Sequence, residues 1–523
     1  MFHDDRIGLY LLICLLVTWP ATADLPPAGA EFWLAWPETA DVRSDDIDYD
    51  LDGEIVILTS STVPVQVSVE ASGLNWNGPT ALGNPAVVRV PFSLKITSDG
   101  VVEQKGIHVW STDCGEISVL FRVPAAMASV GDDTMTILPA TNLGMVYYPD
   151  TYHGGGAYTD GDGNPAQAGS EFAVLAIEDN TQVTWDNPFC PGLTQVTLNR
   201  GEVIQHKCQD DPPNVIQRGI VGSRVEADRP VAVFGASGKS NIINYYIDLP
   251  GTPLNIIWAA SDVLLEQMRP THDWEYEYRT TPFLGGASWA GDLFRIIATC
   301  DDTVVEVDDG TDLLSNTMQA GENWDLIDVD LFTPSFGLTL DPLIIRADHP
   351  VQVTQYMVGW DNADQGDPSQ VMVPGLFRSS GTTLVYLKSG YENHINVIVP
   401  APSSDQVLLD GVPISPASWQ PYPDGVYVWA RLSNLADGQH IIFSDDPISV
   451  TVYGYTLTDE REYTAGGYAY PAPSSGVDEP FPALITRSSL CELQCPGDCL
   501  TLDAGAGYAS YLWSTGETIR DIT

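Results

Sequence analysis

The stretches VEADRPVAVFGASG (225–238) and IRADHPVQVTQYMVG (345–359) share one pattern. Ala227-Asp228-x-Pro230-Val231 aligns with Ala347-Asp348-x-Pro350-Val351 without a gap. A third copy is IIFSDDPISVTVYGY (441–455), and a weaker form is IHVWSTDCGEISVLFRV (107–123). Proline donates no ladder hydrogen bond and suits the entry to a strand. The residues after it alternate at period two, as a strand does. A pattern that recurs at intervals means one supersecondary unit used several times, and this constrains the fold more than any composition.

Two further elements recur in step. EFAVLAIEDNTQVTW (171–185) matches LFRIIATCDDTVVEV (293–307), with Asp179-x-Thr181-x-Val183 over Asp301-x-Thr303-x-Val305. Looser versions lie at 54–69 and 394–411. Each reads as a strand, a polar turn and a second strand. Aromatic segments open the units at 29–38, 143–150, 274–282 and 382–390, and GGYAYP (466–471) closes the series. Asp-to-Pro segments lie between units: GDDTMTILP, SDVLLEQMRP and GDPSQVMVP. The expected fold is all-β, with four repeated sandwich-like units of about 100–120 residues. A propeller-like closed array is the alternative, although propeller blades repeat at about 40–50 residues. Of these segments only SDVLLEQM suggests helix, at one or two turns.

The repeat also decides how GASGKS (235–240) is read. A phosphate loop needs a glycine five residues before Gly238, where Val233 stands, and a helix after it. The other copies of the strand lack this tail, so it is read as structure. Residues 1–23 read as a secretory signal, with an apolar run ending at Ala21-Thr22-Ala23. Residues 24–471 form the repeated domain, 472–489 a Pro- and Ser-rich linker, and 490–523 the beginning of another β module. The formal charge of −48 argues against nucleic acid and for a solvated acidic surface. No segment after the signal is apolar enough to span a membrane. In an exported chain cysteines read as disulfides. Cys190 and Cys208 flank GLTQVTLNRGEVIQH, which reads as a hairpin bringing the two together. Cys114 and Cys300 are a further pair across units, and Cys491, Cys495 and Cys499 include one more bond.

The order of these elements over residues 29–471 resembles the IgGFc-binding protein N-terminal domain family. The resemblance is carried by GAEFWLAW, DDTMTILP, ADRPVAVF, LFRIIATCDDTVVEV, ADHPVQVTQY and GYAYP. The terminal LDAGAGYASYLWSTGETIRDI resembles the start of PKD-like or Ig-like repeats of secreted bacterial surface proteins. These resemblances imply an extracellular, cell-surface protein and supply no catalytic residues.

Several stretches imitate sites. HGGG (153–156) looks like an esterase oxyanion loop, but no Gly-x-Ser-x-Gly elbow accompanies it. Asp160, Asp162 and Asn164, with Glu171 downstream, offer hard oxygens on a glycine-bearing loop, for which calcium is the cofactor. Asp45, Asp46, Asp48, Asp50 and Asp52 form a second acidic run. Trp274, Trp289, Trp360 and Trp419 have the chemistry to stack on sugars, although most tryptophans of a β protein pack in its core. The function expected is a non-catalytic extracellular binding or adhesion module whose partner is a protein or glycan. The alternatives are a secreted carbohydrate-active hydrolase and a passive spacer.

Overall fold

The computed structural model describes residues 29–38, 52–123, 133–153, 156–159, 165–187, 194–208, 219–242, 246–247, 255–256, 261–284, 292–326, 341–357, 368–376, 381–456, 467–473, 502–503 and 521–522. It is all-β, with four repeated sandwich-like units; among the described residues the only helices are 3-10 segments of three to six residues. Unit 1 has eight strands: Glu31–Leu34, Gly53–Leu58, Val65–Ala71, Leu74–Thr80, Ala86–Val90, Ile107–Ser111, Ser118–Val123 and Asp133–Ile137. They form two antiparallel sheets, ordered first-sixth-third-fourth and fifth-second-seventh-eighth. Units 2 (144–267) and 3 (275–372) repeat this order with the sixth and seventh strands fused into one long strand, Arg224–Asn241 or Ile344–Met357. Unit 4 (381–471) separates them again, as Gly438–Ser444 and Ser449–Tyr455.

The Asp-x-Pro motif therefore marks the point where the chain passes from one sheet to the other. Its aspartate closes that crossing. Asp228 Oδ1 accepts the Gln182 amide and Asp348 Oδ1 the Val304 amide, both at 2.8 Å. Asp113 Oδ2 does the same for Gln66 at 2.9 Å in the weaker copy. The first strand of unit 2 slips register between Glu226 and Val231, across the proline. The other repeated letters also close turns. Asn180 and Asp302 sit at φ 58° and 56°, and Asp179 and Asp301 accept the amides of Arg200 and Ala320. Tyr147 and Tyr278 each donate to the long strand, at Val231 O and Val351 O.

Each unit packs on the next, and the fourth packs on the first. Ala232, Phe234 and Ala236 of unit 2 join the core of unit 1, while Val56, Leu58 and Leu120 of unit 1 join the core of unit 4. At every seam the turn or loop beside the fourth and fifth strands leans on the preceding unit. Gly201 lies against Trp33, Gly321 against Tyr148, Asp424 binds Arg279, and the Gly83 amide donates to Gln439. Among the described residues no sheet closes into a barrel and no propeller forms, since each unit holds two sheets rather than one blade.

The eighth strands, Asp133–Ile137, Ser261–Gln267, Ser369–Met372 and Gly467–Pro471, meet around a common axis. Asp133, fully buried, ties them. It accepts from its own neighbour Thr134 N, from Leu265 N of unit 2 at 2.9 Å, from Ser369 Oγ of unit 3 at 2.8 Å, and from Ala469 N of unit 4. Burial pushes its carboxyl well above the usual range, against the pull of those donors. Glu266, also buried beside the axis, is pushed the same way by burial and then by the charge of Asp133.

Three expectations are corrected here. SDVLLEQM is strand, not helix, because it is the eighth strand of unit 2. Gln195–Leu198 and Val203–Cys208 do not form a hairpin; they lie on opposite edges of their sheet, each paired with a different partner. Cys114 is an exposed free thiol, so it does not pair with Cys300. Cys190, Cys491, Cys495 and Cys499, the signal, and the linker apart from Ala472 and Pro473 lie outside the described residues. Of the last module only Leu502–Asp503 paired with Asp521–Ile522 is described. Among the described residues no helix is long and apolar enough to cross a membrane.

Candidate binding face

The outer face of the first sheet of unit 1 is built by alternation. In Ile107–Ser111 the odd residues are buried in the core, and His108 and Trp110 point outward, half-buried. Glu31 and Trp33 are their cross-strand partners, at Glu31↔Trp110 and Trp33↔His108. On the other side Ser68 pairs with Trp110 and Glu70 with His108, and beyond them stand Asn77 and Asn75. The face thus has an aromatic half and a polar half.

The aromatic half is stacked. Trp33 and His108 lie 4.1 Å apart at 12°, and His108 and Trp110 4.3 Å apart at 20°. The Arg200 guanidinium, from unit 2, covers Trp33 at 4.9 Å. Glu31 fixes the stack from beside it, accepting from Trp33 Nε1 at 3.1 Å and bonding His108 Nε2 at 2.8 Å. The His108 hydrogen bond, with help from Trp33 and Arg200, holds the Glu31 carboxyl below its ordinary range. On the polar half Ser68 Oγ bonds Asn77 Oδ1, and Asn77 Nδ2 donates to Asn75 Oδ1 at 3.1 Å.

The sites expected from sequence fall elsewhere. Asp160, Asp162 and Asn164 lie outside the described residues, as do Asp45, Asp46, Asp48 and Asp50. Asp52 accepts the Phe92 amide. Glu171 is fully buried at the seam of units 1 and 2, 3.9 Å from Lys207 Nζ, and burial pushes its carboxyl well up. Among the described residues no three acidic, histidine or cysteine side chains are grouped to hold a metal ion. The His153 ring lies tilted against Tyr152 and its carbonyl accepts from Ser240; burial lowers its imidazole to about 4. Gly235, the first glycine of the false phosphate loop, lies within the long strand, where a Cβ would stand 2.2 Å from Asp150 O. Trp274 is buried between units 2 and 3, and Trp419 packs at the edge of the core of unit 4. Trp289 and Trp360 lie outside the described residues. Cys208 is buried, its sulfur 3.5 Å from Asn187 Nδ2.

The stack was not foreseen from sequence. Its signal was there: His108 and Trp110 alternate with buried apolar residues in IHVWS, which places both on the solvent side.

Among curated proteins none matches the chain. One solved structure is described as a Ca2+-stabilized adhesin that helps an Antarctic bacterium reach out and bind ice. It matches at 10% identity over 86% of this chain and 99% of that chain, with a TM-score of 0.10, too low to carry fold or function across. The family model described as IgGFc binding protein matches residues 132–454. The match runs from the eighth strand of unit 1 through units 2 and 3 into the seventh strand of unit 4, so it follows the repeat that the Asp-x-Pro crossings define. Spanning more than half of the chain, that match makes this protein a member of the IgGFc-binding family.

Proposed function

We propose that this chain is a non-catalytic extracellular binding or adhesion module, which holds its partner on the outer face of unit 1. The observation that carries this is how the chemistry is distributed. The carboxyls that burial pushes furthest up, Asp133, Glu171 and Glu266, are at most 1% exposed and sit at seams or on the axis, out of a substrate's reach. The hydrolase reading draws no support from them. The stacked face of unit 1 is instead open chemistry that the repeat does not explain. It lies before residue 132, outside the stretch matched by the family, so Fc binding, to which the family's name refers, is one candidate activity among several. Export, the Cys190–Cys208 bond and calcium at Asp160, Asp162 and Asn164 belong to the same reading.

The test exposes the purified chain to arrays of extracellular proteins, IgG Fc and glycans, with and without calcium, while assaying release of reducing sugar. Capture without turnover is the expected result. Sugar release that disappears on mutating one carboxylate would overturn it.

A further inference from the structure

We propose that the outer face of unit 1 is a subsite for an uncharged glycan, with Trp110 as the stacking ring and Asn75, Asn77 and Glu70 as hydroxyl partners. The inference rests on the binding-module reading and names the ligand class for that same face.

The four units supply an internal comparison. Cross-strand register matches Trp110, opposite Glu31, with Arg346, opposite Glu277 in unit 3, and with Glu226, opposite Val146 in unit 2. Units 2 and 3 carry charge at this outward position, and unit 4 carries Phe443, opposite Thr382, so the fold tolerates either there. Unit 1 carries the largest ring of the four. Its inner side is already supported by His108, then Trp33, then Arg200, so the ring is held in one orientation before any ligand arrives. Preorganisation of this kind removes ordering cost from binding.

The chemistry around the ring selects the ligand. A pyranose has an apolar C–H face and a rim of hydroxyls. An aromatic ring beside exposed amides and a carboxylate matches both. Asn75, Asn77 and Glu70 are exposed on the two strands beyond Trp110. An anionic ligand meets a chain of charge −48, and the nearby cation Arg200 is committed to Trp33 and Glu31. A protein partner would want a cluster of buried apolar anchors ringed by polar groups. This face offers two half-buried rings, His108 and Trp110, stacked on each other beside polar groups.

The experiment titrates the full chain with cellohexaose, laminarihexaose, maltohexaose and chitohexaose, and with sialyllactose as the anionic control, following heat and tryptophan fluorescence. At least one neutral oligosaccharide should bind and sialyllactose should bind more weakly. W110E installs the residue of unit 2 at a position where that fold accepts it, and should weaken binding about tenfold or more, while W110F should restore most of it. N75A and N77A should each weaken it several-fold. Binding that is unchanged in W110E, or no binding of any neutral oligosaccharide, overturns the glycan assignment. Array capture by the unsubstituted chain separates the two readings. A protein captured while no neutral oligosaccharide binds leaves the module standing and sinks the glycan subsite; no capture of anything sinks both.

Discussion

Units 1 and 3 use the same four outward positions for opposite ends. In unit 1 they hold Glu31, Trp33, His108 and Trp110; in unit 3, Glu277, Arg279, Ile344 and Arg346. The face of unit 3 is a seam. Arg279, 1% exposed, binds Asp424 Oδ1 at 3.0 Å and Oδ2 at 2.6 Å, bonds Glu277 at 2.6 Å, and lies over Tyr427 at 4.3 Å. Arg346 reaches the same Asp424 at 3.0 Å. The Arg279 hydrogen bonds hold the Asp424 carboxyl below its ordinary range. In unit 1 the turn of Arg200 and Gly201 from the neighbouring unit meets the face at Trp33, and Glu70, Asn75 and Asn77 stay exposed. A shared backbone thus fixes where a side chain points, and the neighbour decides whether it becomes mortar or a surface.

Removing the mortar should have the largest effect. Arg279→Ala leaves Asp424 and Glu277 without their buried partner and should cost about 3–5 kcal/mol in denaturant unfolding. Trp33→Ala, at the covered end of the stack, should cost a similar or slightly smaller amount, about 3 kcal/mol, because a buried ring is lost. If Trp33→Ala cost no more than Trp110→Ala, the division of that face into a supported and an open end would be wrong.

The seam of units 3 and 4 also titrates. Asp292 Oδ2 accepts both the Phe283 amide and Gln355 Nε2 at 2.7 Å, and burial pushes this carboxyl from 3.8 to about 7. An acid whose folded value is raised favours the fold while protonated. Its contribution is full below about 4 and is lost as pH rises toward 7. Asn at this position keeps one oxygen for both donors and cannot ionise. Melting curves of Asp292→Asn should therefore change less between pH 4 and 7 than those of the parent; parallel curves would remove Asp292 as the cause.

The smallest effects belong to the open end. Trp110→Ala should cost about 1 kcal/mol or less in stability. Arg200→Ala, which removes a half-exposed cation from Trp33 and Glu31, should cost no more than about 0.5 kcal/mol. A larger loss at either would mean that the face is structural after all.

The repeated strand pairs were legible because they are local: period two announces each strand and a polar turn joins it to the next. That Asp-x-Pro marks a crossing between sheets was not legible, because Asp228 closes it on the amide of Gln182, far away in sequence. The partnering of whole strands was not legible. Val203–Cys208 follows Gln195–Leu198 closely in sequence yet pairs with Ser170–Ala176, because the core of the unit outweighs the convenience of a short loop. The face of unit 1 was readable only in part. Alternation placed His108 and Trp110 outside, but their stacking needs Trp33 and Arg200, which are distant in sequence. Sequence reasoning looked for sugar-stacking rings at Trp274, which the meeting of units 2 and 3 buries.

Asp133 also sets an order of events in synthesis. It belongs to the first unit made, but its donors at Leu265, Ser369 and Ala469 arrive with the second, third and fourth. Until the last of them is translated, the final strand of unit 1 must either keep that carboxyl wet or bury it short of partners, which is costly. A linear array of repeats can settle one repeat at a time. A ring tied at its centre cannot, so its first unit waits on its last, and a chain cut short before residue 469 is left with a hub that water must fill.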